Sequence, residues 1–145
     1  MAIINTYLTF DGNCEAAFEL YRSVFGGSFN EFSRFKDMPV ATEGGLSAED
    51  EERIMHVSFP VSKETILMGS DCTKAFSHLH IQGSNVSLSI NTESKEEADK
   101  LFNGLSEGGT VTMPLAETFW GAYFGMFTDK FGIHWMINHD IKKAA

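Results

Sequence analysis

Cysteine occurs only twice in the 145 residues, at Cys14 and Cys72. Two thiols so placed make neither a metal-type spacing nor a disulfide framework, so the expectation is a fold held by its apolar core in a reducing compartment, the cytoplasm. Positive charge is also scarce: 11 Lys and Arg face 20 Asp and Glu, a formal net charge of −9. No segment clusters basic residues as phosphate contacts require, which argues against a nucleic-acid partner. No apolar run approaches the roughly 18 residues of a spanning helix. The start, "MAIINTYLTF", has neither a basic n-region nor a small-residue cleavage site, so no membrane partner is expected.

What is present alternates between two periods. "IINTYLTF" sets Ile4, Thr6, Leu8 and Phe10 on one face and Asn5, Tyr7 and Thr9 on the other, which predicts a strand between two environments. Asn13 is placed to cap a helix whose Cys14, Ala17, Phe18, Tyr21, Val24 and Phe25 recur at three- and four-residue steps, before Gly26 and Gly27 end it. "SFNEFSRFKDMP" predicts a strand, and residues 38–52, with Gly44, Gly45 and an acidic run, predict a solvated loop. "RIMHVSFPV" and "TILMGSD", joined by three residues, predict a hairpin.

The second half repeats this order. "NVSLSINT" predicts a strand, and Ser94 with Glu97 a capping box before a helix with Ala98, Leu101, Phe102 and Leu105 inward. "TVTMPLAET" and the aromatic stretch "WGAYFGMFTDKFGIHWMIN" follow, the latter splitting into two strands around Thr128, Asp129 and Lys130. Leu8 lies 80 residues before Leu88, and Met68 lies 68 before Met136. Such self-similarity predicts an α+β fold of two β-α-β-β-β units, residues 1–75 and 84–145 with a linker at 76–83, in one domain. The units are expected to form a curved, trough-like mixed sheet with the helices outside.

"YLTFDGNCEAAFELYRSVFGG", "RIMHVSFPV" with "ILMGSD", and "MPLAETFWGAYFGMFTDKFGIHWMIN" resemble the PhnB-like branch of the vicinal oxygen chelate superfamily, which includes glyoxalase I, extradiol dioxygenases and bleomycin-resistance proteins. The resemblance implies a homodimer, commonly with exchanged units. Such chains often carry a 3-demethylubiquinone methyltransferase label. No glycine-rich loop follows a strand as a nucleotide-type cofactor would need, so methyl transfer is not expected.

Metal-dependent members of the superfamily present His, Gln or Glu from the first and last strand of each unit. Matched strand to strand, those positions fall on Asn5, Met68, Asn85 and Met136. Two carboxamides and two thioethers suit a divalent ion poorly, so neither metal nor other cofactor is expected. By alternation the trough is lined by Asn5, Tyr7, Met68, Asn85, Ser87, Ser89, Phe124, Met126, His134 and Met136. His56 joins them, and Trp120 stands either at the rim or at a unit interface. This lining suits a small apolar or aromatic ligand. The alternative is an enzyme of glyoxalase or dioxygenase type, metal-free with His56 or His134 as acid-base, or metal-dependent through other ligands. His78 and His80 are expected in an exposed linker and His139 in the tail.

Overall fold

The computed structural model describes residues 2–37 and 46–141. The chain divides into two compact units, Met1–Ile81 and Gln82–Ala145, so the expected linker straddles the division. Unit one runs β1 (Thr6–Phe10), α1 (Cys14–Phe25), β2 (Glu31–Arg34), α2 (Ala48–Glu52), β3 (Ile54–Pro60) and β4 (Ile66–Asp71). Unit two runs β5 (Leu88–Asn91), α3 (Lys95–Ser106), β6 (Thr110–Glu117), β7 (Ala122–Thr128) and β8 (His134–Asp140). The sheet orders are β1-β4-β3-β2 and β5-β8-β7-β6, with the first pair of each parallel and the rest antiparallel. The fold is therefore α+β, two β-α-β-β-β units with mixed sheets, as the repeat predicts. No helix among the described residues is long and apolar enough to cross a membrane.

Each long helix lies on one face of its own sheet because its apolar residues recur along one stripe. Cys14, Ala17, Phe18, Tyr21 and Val24 of α1 are buried, as are Ala98, Leu101, Phe102 and Leu105 of α3. Close approach needs glycine below. A Cβ on Gly69 of β4 would sit 2.6 Å from the Phe18 ring, and one on Gly125 of β7 would sit 2.7 Å from the Phe102 ring. Among the described residues, the opposite face of each sheet carries neither of these long helices.

Several local expectations are corrected. Asn13 makes no side-chain cap; Asp71, at the end of β4, caps α1 instead. Its Oδ1 accepts the Gly12 and Cys14 N–H groups at 2.9 and 3.0 Å, and Oδ2 accepts the Ile54 N–H at 2.9 Å. A full negative charge at a helix N-terminus makes stronger bonds there than a neutral carboxamide. In the second unit Ser94 Oγ accepts the Glu97 N–H, but the Glu97 carboxylate reaches back to the Glu93 N–H rather than to Ser94.

The acidic run is a short helix rather than a loop, and Glu49, Glu51 and Glu52 form its solvated face. Ser47 Oγ accepts the Asp50 N–H at 3.1 Å and starts α2, while the buried Asp50 carboxylate accepts the Lys74 N–H at 3.2 Å. Gly44, Gly45 and Met38 lie outside the described residues. The strand expected from "SFNEFSRFKDMP" spans only β2 and gives way to a 3-10 turn at Phe35–Asp37. β5 is likewise shorter than expected, leaving Asn85 and Ser87 before it. His78 lies in a 3-10 segment, Lys74–Leu79, and His139 lies within β8, its Nδ1 3.0 Å from the Thr92 carbonyl.

Register also revises the repeat. Tyr7 pairs with Met68 and Ser89 with Met136, so the first strands are related by 82 residues rather than 80.

Candidate functional site on the uncovered sheet faces

Strand alternation sends every second side chain to the face that the unit's own helix does not cover. In the second sheet, register aligns Met113, Met126, Met136 and Ser89 in one row across β6, β7, β8 and β5. The next row holds Ala116, Phe124, Asn138 and Asn91. Phe124, Met126, His134 and Met136 thus share this face and are half-buried, whereas Phe127, Trp135 and Ile137 are buried on the other. Trp120, in the β6–β7 turn, is 57% exposed and packs edge-on to Phe124 at 6.0 Å and to Phe119 at 5.0 Å. Sequence reasoning missed Met113, because a bulge between Val111 and Met113 shifts the alternation of β6.

His134 is held at both nitrogens. Nε2 lies 2.8 Å from the Gly83 carbonyl, which can only accept, so this nitrogen carries the proton. Nδ1 lies 2.8 Å from Thr128 Oγ1 and accepts from it. The ring ties the segment before β5 to β8 and leaves neither nitrogen free.

In the first sheet, Glu31, Ser58, Met68 and Tyr7 form the row that corresponds to Met113, Met126, Met136 and Ser89. His56 on β3 stacks on Tyr7 with centroids 5.8 Å apart, and its Nδ1 is 3.5 Å from the Tyr7 hydroxyl. Its Nε2 is 3.9 Å from a Glu31 carboxylate oxygen. The structure therefore brings Tyr7, His56 and Met68 together and adds Glu31. Asn5 lies outside β1, and Asn85 outside β5.

Donor chemistry along this register bears on the ion site that the resemblance implies. The neighbours are Tyr7 with Met68 and Ser89 with Met136: a phenol, a hydroxyl and two thioethers. A divalent ion needs anionic oxygen, thiolate or imidazole, so these residues do not fit it. Among the described residues no group of three or more His, Cys, Asp and Glu converges as a metal set would.

Other polar groups are accounted for structurally. A charged cleft of about 360 Å³ in unit one is lined by Glu15, Arg34, Glu49, Glu52, Arg53 and Asp71 among others. Its guanidinium groups are already paired, Arg34 with Glu15 at 2.8 Å and Arg53 with Asp11 at 2.8 Å. Burial, reinforced by the Asp71 charge, pushes the Cys14 thiol far up. Burial and the hydrogen bond to Asp11 push the Cys72 thiol up as well. Neither cysteine is set up as a nucleophile.

Comparison with known proteins agrees with this architecture. The profile of the family described as 3-demethylubiquinone-9 3-methyltransferase matches residues 2–138. The chain is 39% identical to protein PA1353 from Pseudomonas aeruginosa, covering 97% of this chain and 98% of that one at a TM-score of 0.80. It is 25% identical to a PhnB protein from Bacillus cereus, over 95% and 99% of the two chains with a TM-score of 0.73. Protein YjdN of Escherichia coli (strain K12) is 31% identical over 142 residues, 93% of each chain. With family model, relatives and fold in agreement over nearly the whole length, and with the fold shared by solved glyoxalase/bleomycin resistance/dioxygenase proteins, the chain belongs to the family described as 3-demethylubiquinone-9 3-methyltransferase.

Proposed function

We propose that the protein is a cytoplasmic homodimer that binds a small apolar or aromatic molecule on its uncovered sheet faces, without the superfamily's metal ion. The observation that carries this reading is the thioether row Met113, Met126 and Met136 beside Phe124 and Trp120. Thioethers are polarisable and conform to flat ligands, and aromatic edges add stacking contacts. Ser89 and Asn138 stand in the same rows and supply the few polar groups that orient a ligand. No charged side chain stands in these two rows, which disfavours a phosphorylated or strongly anionic ligand. Dimer formation is supported by exposed apolar side chains such as Ile3, Ile4 and Val86. Sedimentation that returned a single 16.1 kDa chain would refute it.

A thermal-shift screen of quinones, phenols and aromatic antibiotics tests the binding reading. A ligand at a hundredfold excess over Kd adds about 2.7 kcal/mol, enough to move the midpoint by several degrees. The expected result is a compound that raises the midpoint of the wild type but not of Phe124→Ala or Met136→Ala. If no compound moves the wild type, or if the variants respond equally, the uncovered face of the second sheet is not the site.

A further inference from the structure

The two sheets share a topology but not a chemistry. At the positions where the second sheet has Met113, Phe124 and Ser89, register places Glu31, His56 and Tyr7 in the first. The fold therefore does not require a phenol, an imidazole and a carboxylate there, since the second unit builds the same layer largely from apolar groups. Nor does the cluster serve burial. Tyr7 is 47% exposed, and the side chains of His56 and Glu31 are 26% and 56% exposed. Structural histidines of this protein look different: His134 is fixed by two contacts of 2.8 Å, whereas His56 has its neighbours at 3.5 and 3.9 Å. Such spacing leaves room for the bonds to tighten when a ligand arrives.

We infer that Tyr7, His56 and Glu31 form a proton-accepting line for a ligand that carries an ionisable hydroxyl, a phenol or an enol. The inference extends the ligand-binding reading above and rests on it. Glu31 beside Nε2 favours the tautomer with its proton on that nitrogen, which leaves the Nδ1 lone pair facing the Tyr7 hydroxyl. The ligand's O–H breaks as its proton passes to Tyr7 Oη, and Tyr7 passes its own proton to Nδ1. The products are a ligand oxyanion that accepts a hydrogen bond from a neutral Tyr7, and an imidazolium between Tyr7 and the Glu31 carboxylate. No electrons move, and the total charge is unchanged. Among the described residues the titratable groups facing His56 are Tyr7 from β1 and Glu31 from β2; β4 presents the uncharged Ile66, Met68 and Ser70 to this face.

The probe is 4-nitrophenol, whose ionised form has its own visible absorption band. In buffer acidic enough to keep the free probe un-ionised, wild-type protein is expected to raise the phenolate band to saturation. His56→Gln should abolish the band, and Tyr7→Phe and Glu31→Gln should weaken it several-fold. The band is read per bound probe, with the bound fraction of each variant measured by equilibrium dialysis, and the thermal midpoints should stay near that of the wild type because these side chains are partly exposed. Probe that binds the wild type by dialysis without a phenolate band overturns the proton-accepting line and leaves ligand binding standing. A band that persists in His56→Gln also overturns it. If the wild type binds no probe even by dialysis, this inference fails, and the thermal-shift screen decides separately on the second sheet.

Discussion

Asp71→Ala is expected to cost about 3–5 kcal/mol of folding stability, near the upper end for single substitutions. The residue is 4% exposed, and its two oxygens accept three backbone N–H groups, from Gly12, Cys14 and Ile54. It thereby fixes three things at once: the entry into α1, the start of β3 and the end of β4. Removing it strands buried donors, and each unsatisfied donor costs about 1–3 kcal/mol. Asp71→Asn keeps one oxygen for two of the donors but turns an amide N–H toward the third or loses it, so it should fall between alanine and wild type. Urea unfolding with linear extrapolation checks both variants. A loss below about 1 kcal/mol for Asp71→Ala would mean that other groups or water take over the donors.

The second large effect separates two phenylalanines three residues apart on one strand. Phe127 is 1% exposed and meets the Phe102 ring edge-on at 5.0 Å, so Phe127→Ala should cost about 3–5 kcal/mol. Phe124 is half-buried on the other face of β7, against Trp120, and its truncation should cost about 1–2 kcal/mol because less packed surface is lost. Equal losses in the same unfolding experiment would place Phe124 in a core and remove the ground for calling that face a binding surface.

The pattern behind that contrast was readable from sequence. Trp135 and Met136 differ by one position in an alternating strand, and the alternation alone assigns the first to the helix side and the second to the uncovered side. Helical periodicity likewise identified all four inward residues of α3. Asp71 was out of reach for a different reason: it caps a helix from 57 positions away in sequence, at Cys14, and no local signal marks a long-range cap. Asp129 is similar at short range. The sequence presents it as a polar turn residue, yet it is 3% exposed and accepts the Phe131 and Ile133 N–H groups and the Trp135 indole N–H. Glu31 could be joined to His56 only once the β2–β3 register was known, because a one-residue slip would send it to the opposite face. Strand matching to the resembled superfamily picks out Asn5 and Asn85, whereas the register puts Tyr7 beside Met68 and Ser89 beside Met136, because strand ends are not marked in the sequence.

The most direct test of a ligand site on the uncovered face of the second sheet uses the methionines as reporters. With methyl-labelled methionine, addition of 1-naphthol should shift the Met126 and Met136 resonances in a saturable way and leave Met55 in place. Met55 alternates with His56 on β3 and so belongs to the helix-covered side of its sheet. Saturable shifts confined to Met126, Met136 and their row neighbour Met113 are the predicted result. No shift at these positions, or an equal shift at Met55, would contradict it.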